Sequence, residues 1–289
     1  MIRKTIYVLA LILVVLALGA CGQKQEAQPQ AQQAAAVPEK PKVIPGEMVL
    51  IPAGEYTIGT NEKDPGDPAK KDFTNAYPEH KVKLPAFWID KYETTGKEYL
   101  EFSIKTSYVV EGQEEGKTWR TFFSLEKPNV PVTYITWKDA NEYCKAQGKR
   151  LPTEEEWEAA ARGPNGYRYP WGNEWDATKA NTADAGYRVP VDIGQFDDVS
   201  PFGVHDMYGN VQEWASDSYK PYKGNPKAGG LEFNSGYKVL RGLGSRYTGT
   251  KSSGLWARTA YLPNYLADFG CRCAKSATPE EAAKAVPAK

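Results

Sequence analysis

Two cysteines lie one residue apart near the end of the chain, in the stretch FGCRCAK at residues 269–275. Such a pair can be half of a metal site, half of a redox couple, or one structural cysteine beside one that is merely buried. The chain has four cysteines, and Cys21 lies in an N-terminal segment of different character. Any disulfide among Cys144, Cys271 and Cys273 therefore leaves one thiol over.

The helix signals around Cys144 are the clearest in the sequence. Thr136 is placed to cap a first helix that Gly148 ends, and Thr153 with Glu156 forms the capping box of a second helix. Apolar residues recur at helical spacing on the face that carries Cys144. The spacing therefore predicts a buried, packed position for this thiol.

The other elements are predicted from alternation and turn residues. Residues 48–59 and 80–93 alternate apolar and polar side chains and predict strands. Thr94 or Thr95 can cap a helix that runs through about Thr106. Strand-like runs, YKVLRG and FGCRCA, return toward the end of the chain.

The N-terminus predicts a targeting segment. Arg3 and Lys4 precede the apolar run 6–18, which is short for a membrane span. A small-residue run then ends in Cys21, and this pattern resembles a bacterial lipobox. It predicts a lipoprotein signal peptide over residues 1–20, cleavage before Cys21 and lipidation of its thiol. The alternative is an ordinary signal peptide with an incidental cysteine.

The segments on either side of the predicted domain are poor in large apolar residues. Residues 21–44 are rich in Gln, Ala and Pro and predict a flexible tether, and residues 277–289 predict a disordered tail. The folded domain is expected at residues 45–276. Gly22, rather than Asp, follows the lipidated cysteine and favours outer-membrane sorting if the organism has two membranes. We therefore expect a lipid-anchored protein of the bacterial cell envelope.

The composition limits the partners and the redox state. The 36 basic and 36 acidic residues balance, which argues against a nucleic-acid partner. Eight Trp and 18 Tyr, with many Gly and Pro, suggest a loop-rich fold whose core is built on large rings. Export to an oxidising compartment makes a disulfide plausible.

Seven motifs follow one another along the chain. They are MVLIPAGEYTIG, FWIDKYETT, PVTYITWKDANEYC, GKRLPTEEEWEAAARG, YPWGNEW, SPFGVHDMYGNVQEW and GCRCA. In this order they resemble the formylglycine-generating enzyme, or sulfatase-modifying-factor, domain, from about Met48 to Ala274. The resemblance implies an α+β, C-type-lectin-like fold that is loop-rich, with few helices and short sheets.

The resemblance also implies a role for each of the three cysteines. The family joins its EYC-helix cysteine to the one in its closing G-F-R-C-A strand, which implies a disulfide between Cys144 and Cys273. Cys271 stands where the family usually has Phe, and residues i and i+2 of a strand face the same side. We expect it to be a small buried hydrophobe. The alternatives are a redox switch in which Cys271 competes for Cys144, or a metal held with Cys273.

Two other family cysteines are missing. In the enzyme they lie between the R-G-G-S segment and the closing strand, where they bind copper and convert a sulfatase cysteine to formylglycine. Residues 241–270 contain no cysteine, and the two positions fall near Thr250 and Leu255. Neither residue offers the thiolate that copper(I) requires. We expect no copper and no formylglycine synthesis.

Calcium is the metal that the resemblance does support. Residues 163–216 show little periodicity, and such a long irregular stretch needs something to organise it. Carboxylate and backbone oxygens suit calcium. The family's two calcium sites correspond here to Asp206, Gly209, Val211 and Glu213, and to Asn181, Thr182 and Asp184. The alternative is that these side chains only bind loop amides.

Two functions remain open. The first is a membrane-anchored envelope lipoprotein that binds or scaffolds a protein or peptide and has no formylglycine-generating activity. Aromatic and Arg side chains near the former active site are its candidate binding surface: Arg246, Tyr247, Trp256, Arg258, Tyr261 and Tyr265. The alternative for these residues is ordinary core packing. The second function is an oxidoreductase of the same family that acts by a different chemistry in the oxidative tailoring of a peptide or small molecule, although no catalytic residue can be named.

Overall fold

Short helices and strands, joined by long loops, build this protein. The computed structural model describes residues 43–62, 75–110, 116–226, 233, 236–249 and 254–285, all within the unit Lys42–Lys289. The expected α+β class, loop-rich with few helices and short sheets, is confirmed.

The helices begin where the threonines predict. They are α1 Gly96–Thr106, α2 Trp137–Ala146, α3 Glu154–Arg162 and the short α4 Pro279–Ala282. Thr95, Thr136 and Thr153 cap the first three, each in a capping box with the acidic residue three positions on. A 3₁₀ turn covers Ala183–Ala185.

The strands fall into three small sheets. They are β1 Met48–Ile51, β2 Gly54–Ile58, β3 His80–Leu84, β4 Phe87–Asp90, β5 Gln212–Ser218, β6 Lys238–Arg241, β7 Thr259–Tyr261, β8 Phe269–Gly270 and β9 Ala274–Ser276. Their orders are β1-β4-β9, β2-β3 and β7-β6-β5-β8. β1 pairs with β4 rather than with the next strand in the chain, and β9 returns from the end of the domain to pair with the other edge of β4.

Two apolar clusters form most of the core. The first surrounds Trp157 of α3 and receives the inner face of β1 and β4. The second lies between α1, α2 and the four-stranded sheet, around Trp214, and contains Cys144, Cys271 and Cys273. Large rings fill both clusters, as the composition suggests.

The C-terminal segment differs from the sequence expectation. Residues 277–289 were expected to be disordered, but Thr278 caps the helical turn α4 in a capping box with Glu281. The low apolar content of the segment hides this local signal, which needs only Thr, Pro and two acids. Within the described ranges, no helix is both long and apolar enough to cross a membrane. The predicted signal peptide, Cys21 and the tether up to residue 42 lie outside them.

Candidate functional site

Packed apolar side chains surround Leu255, near which the family resemblance implies one of the missing cysteines. Leu255 is 2% exposed and lies in the Trp157 cluster with Tyr208 and Leu243. The cavity beside it has a volume of about 10 Å³, which is roughly the space of one water probe. Thr250, the other position, lies outside the described residues. Leu255 offers neither a metal ligand nor room for a substrate.

Five buried charged side chains hold the backbone at this position. We call them the arginine–glutamate network: Glu154, Glu158, Arg162, Arg241 and Arg258. Arg241 donates to the carbonyl oxygens of Leu255 (2.8 Å) and Trp256 (3.4 Å) and pairs with Glu158 at 2.6 Å. Glu158 also pairs with Arg162 at 2.8 Å. Hydrogen bonds and ion pairs from α3 and β6 therefore hold the backbone at Leu255 and Trp256.

Two predicted surface residues prove to be buried. Arg258 is 4% exposed, pairs with Glu154 and lies between the rings of Tyr219 and Tyr222, so it is a network residue rather than a contact for a partner. Trp256 is 6% exposed. The expectation that both lie on an exposed surface is wrong. Glu154 of α3, 104 residues earlier in the chain, pairs with Arg258, and Trp256 is nearly buried, although it lines the cavity described below.

The other predicted surface residues are accessible. Tyr247 is 44% and Tyr265 39% exposed, and Tyr261 stacks on Tyr265 with ring centroids 4.7 Å apart. Arg246 is exposed and pairs with Asp268 at 3.2 Å. With Leu262, which is 46% exposed, these residues form what we call the tyrosine surface: Arg246, Tyr247, Tyr261, Leu262 and Tyr265.

An open cavity of about 550 Å³ lies on the other side of Trp256. Arg168 forms part of its lining and pairs with Glu62 at 2.8 Å. The guanidinium groups of Arg162 and Arg168 lie 5.4 Å and 4.9 Å from the Trp256 ring. This cavity is polar and has the volume of a small-molecule site.

The cysteines are arranged as the resemblance implies. Cys144 and Cys273 form a disulfide that closes a sequence separation of 129 residues. Cys271 is a buried free thiol whose Sγ lies 3.6 Å from Oγ1 of Thr94, and burial raises its pKa far above the ordinary value. A thiol in this state is a poor nucleophile and a poor metal ligand.

A second group of buried charges contains more acids than bases. We call it the acid-rich cluster: Glu93, Asp198, Asp206 and Glu213, with Arg272 as its cation. Burial, and next the charge of Asp206, raises the pKa of Asp198 to about 7. Burial and the neighbouring carboxylates likewise raise the pKa of Glu93. Among the described side chains of this region, four carboxylates thus lie around one guanidinium group.

The first predicted calcium site is not formed as the motif suggests. Both oxygens of Glu213 bind Arg272 at 2.7 Å, and Trp157 donates to Oε2 of the same carboxylate at 2.9 Å. Gly209 and Val211 direct their N–H groups at carboxylates, Asp198 and Glu93 respectively. In the described part of the chain, no three His, Cys, Asp or Glu side chains are grouped to hold a metal. Both oxygens of Glu213 therefore already bind Arg272, and calcium at this motif stays a prediction.

Two further carboxylates of that region, Asp206 and Asp198, differ in their contacts. Oδ2 of Asp206 accepts the N–H of Gly194 at 2.7 Å. Oδ1 of Asp198 is buried and accepts no hydrogen bond, although Oδ2 accepts two. A buried oxygen without a hydrogen bond lowers the stability of the fold unless an ion or a water molecule contacts it.

The second predicted calcium site keeps a free oxygen. Asn181 donates through Nδ2 to the carbonyl of Val189 and to Asn210, while its buried Oδ1 accepts nothing. Thr182 and Asp184 are neighbours, with Oγ1 of Thr182 donating to Oδ2 of Asp184 at 3.3 Å. A buried amide oxygen beside a carboxylate fits a hard cation.

Sequence reasoning missed Glu93, Asp198 and Arg272 as members of this region. Glu93 lies 117 residues before Asn210, whose amide it accepts at 2.6 Å. The signal that could have found Arg272 was the motif GCRCA itself, since its central arginine alternates with two buried cysteines and must also be paired. Nothing local marks Glu93 or Asp198, because both act through contacts made only on folding.

Comparison with known proteins agrees with this geometry. The model of the sulfatase-modifying factor enzyme 1-like domain matches residues 33–277. The inactive C-alpha-formylglycine-generating enzyme 2 of Mus musculus is 29% identical over 284 residues, covering 80% of this chain and 86% of the relative. YfmG of Bacillus subtilis is 33% identical over 230 residues, covering 68% of this chain, which spans only about half (47%) of that relative.

A solved structure shows the same architecture. PvdO from Pseudomonas aeruginosa is 27% identical, with a TM-score of 0.64, and the match covers 80% of this chain and 94% of that one. The matched length, the closing cysteine strand and the Leu255 position together lead to one conclusion. The chain belongs to the sulfatase-modifying factor, or formylglycine-generating enzyme, domain family, as a member without the cysteine pair.

Proposed function

We propose that this protein is a lipid-anchored bacterial envelope protein whose domain binds a protein or peptide and makes no formylglycine. The observation that carries the proposal is Leu255, a packed leucine where the enzyme places a thiol. Copper(I) selects soft sulfur ligands, and the interval 241–270 contains none. The residues present therefore do not fit copper.

The direct test is an activity assay. Full-length protein is incubated with copper(I), oxygen and a cysteine peptide of a sulfatase, and the peptide is analysed by mass spectrometry. A formylglycine-generating enzyme is the positive control. We expect no aldehyde from this chain, and conversion at the rate of the control would overturn the proposal.

Binding is assigned to the tyrosine surface. Exposed Tyr and Arg side chains dominate protein contacts because they bury large area at low entropic cost. Main-chain hydrogen bonds hold its backbone, from Ala183 to Tyr247 and from Tyr265 to Leu262. Its side chains are therefore presented without the cost of ordering a loop. Tyr265→Ala and Tyr247→Ala should reduce capture of the envelope partner in crosslinking experiments while leaving thermal unfolding unchanged. Capture that both variants retain would move the binding site elsewhere.

A second candidate is an oxidoreductase of different chemistry. The cavity beside Trp256 favours it, since about 550 Å³ is the volume of a small-molecule site and its lining is polar. Metal analysis of the purified protein separates the two candidates. Stoichiometric iron or copper would favour the enzyme, and calcium alone would favour the binding protein.

The anchor and the structural metal complete the proposal. Acyl chains on Cys21 would hold the protein at the membrane, because each buried methylene contributes about 0.8 kcal/mol. Mass spectrometry of the mature N-terminus tests this, and Cys21→Ser should release the protein into the soluble fraction. Calcium would bind at Asn181 and Asp184, and near Asp206, as a structural ion.

A further inference from the structure

Outside the regions above, a partly open cavity of about 550 Å³ lies between α1 and α2. Phe102 and Tyr143 line it from below, and both are nearly buried. Asn129 and Gln147 add amide groups, and Pro45 closes one end. A pocket with apolar walls and a few polar groups is the usual form of a small-ligand site.

The cavity carries a carboxylate oxygen that the protein does not use. Oε2 of Glu98 accepts both the N–H and the Oγ1–H of Thr95, at 2.8 Å and 2.7 Å. Oε1 of Glu98 accepts no hydrogen bond from the described residues. Capping α1 therefore needs only one of the two oxygens, and the other is available to a donor in the cavity.

The opposite charge lies two turns further along the same helix. Lys105 lines the cavity and makes no ion pair with a described residue, whereas Lys97 is 4.0 Å from Glu101. Seven residues along an α-helix return to the same face after about 10 Å. Glu98 and Lys105 thus present one negative and one positive group at that spacing along one wall.

We propose that this cavity binds a short zwitterion whose ammonium and carboxylate lie about 10 Å apart, of the length of an extended tripeptide with free termini. The ammonium contacts Glu98 beside the aromatic walls, which also favour a cation. The carboxylate contacts Lys105, and the amides of Asn129 and Gln147 pair with the ligand backbone. A single amino acid is too short to reach both charges.

Isothermal titration of the full-length chain with tri-L-alanine tests the proposal. We expect binding that free alanine and the N-acetylated, C-amidated tripeptide do not show. Glu98→Gln keeps the capping box, since Gln also fulfils that role, and should weaken binding by about tenfold or more because a charge-assisted hydrogen bond is lost. Lys105→Met should weaken it similarly.

Matched controls are Glu55→Gln and Lys83→Met, which change exposed charges on β2 and β3 and should leave the affinity unaltered. Thermal unfolding of Glu98→Gln confirms that the variant is folded. Absence of tripeptide binding, equal binding by the blocked tripeptide, or unchanged affinity in both cavity variants would each overturn the proposal. None of these outcomes depends on the tyrosine surface or on copper.

Discussion

The two buried charge groups differ in their ratio of acidic to basic side chains. The arginine–glutamate network sets three guanidinium groups against two carboxylates, and each acid is paired at 2.8 Å or less. The acid-rich cluster sets four carboxylates against Arg272 and leaves Oδ1 of Asp198 without a partner. The first group pairs both of its carboxylates, although Nε of Arg241 has no partner among the described residues, and it holds the Leu255 segment. The second would be relieved by a proton or a cation.

The largest expected loss of stability comes from removing a carboxylate of the arginine–glutamate network. Glu158→Gln leaves Arg241 and Arg162 short of a buried counter-charge, which typically costs about 3–5 kcal/mol. Glu213→Gln in the acid-rich cluster should cost less, because it also relieves repulsion with Glu93. Urea unfolding of both variants measures the difference, with exposed Glu55→Gln as control. Equal losses would show that the two groups do not differ in this way.

The disulfide is expected to come next. Cys273 follows Arg272 directly, so the crosslink to Cys144 also fixes the segment between β8 and β9 from which Arg272 enters the acid-rich cluster. Replacing both cysteines by Ser should cost about 2–5 kcal/mol, because a very long loop is released. Chemical denaturation in the absence of reductant measures it. Cys271→Ser is the matched control, and a comparable loss there would assign the effect to burial of a hydroxyl.

Calcium should stabilise the protein through the acid-rich cluster and the adjoining Asn181 site, and not through the arginine–glutamate network. At a concentration one hundred times its dissociation constant, a ligand of the folded state adds about 2.7 kcal/mol. We expect calcium to raise the melting temperature of chelator-treated protein, and magnesium to do so less. Asn181→Ala should reduce the calcium response. A parent protein indifferent to calcium would show that the unpartnered oxygens are met by water alone.

The smallest expected effect is a dependence on pH. The folded pKa of Asp198 is raised to about 7, so its contribution to stability is present below about pH 4 and is lost as pH rises through 7. Asp198→Asn, studied in chelator, should therefore be more stable than the parent at pH 8, by on the order of 2 kcal/mol. The gap should close toward pH 4. A gap that is constant over this range would rule out titration of Asp198.

Features that depend on nearby residues could be predicted from the sequence, and features that depend on distant residues could not. Thr95, Thr136 and Thr153 were predicted as caps because capping depends on residues three positions apart. Cys144 and Cys273 were paired through family resemblance. Arg258 and Trp256 were placed on the surface in error, because Arg258 pairs with Glu154 and Trp256 packs against Arg162 and Arg168, all of them distant in the chain. Glu93 and Asp198 were missed for the same reason.

The sequence limits the possible reactions of this protein more firmly than it identifies a ligand. The missing cysteines in residues 241–270 are readable from the sequence, and the packing of Leu255 adds that the space is closed. The oxygens that could bind calcium are those without a hydrogen-bond partner. The spacing of residues in the sequence does not reveal these partners. The cavity between α1 and α2 likewise depends on how two helices approach.

The backbone beneath the tyrosine surface is fastened on both sides. The N–H of Ser245 binds the carbonyl of Asn210, and the carbonyl of Tyr247 accepts the N–H of Ala183, both at 2.9 Å. Main-chain bonds do not depend on which side chain each residue carries. An engineer could randomise Arg246, Tyr247, Leu262 and Tyr265 in a library and select new binding specificities, since this backbone would tolerate different side chains on the tyrosine surface.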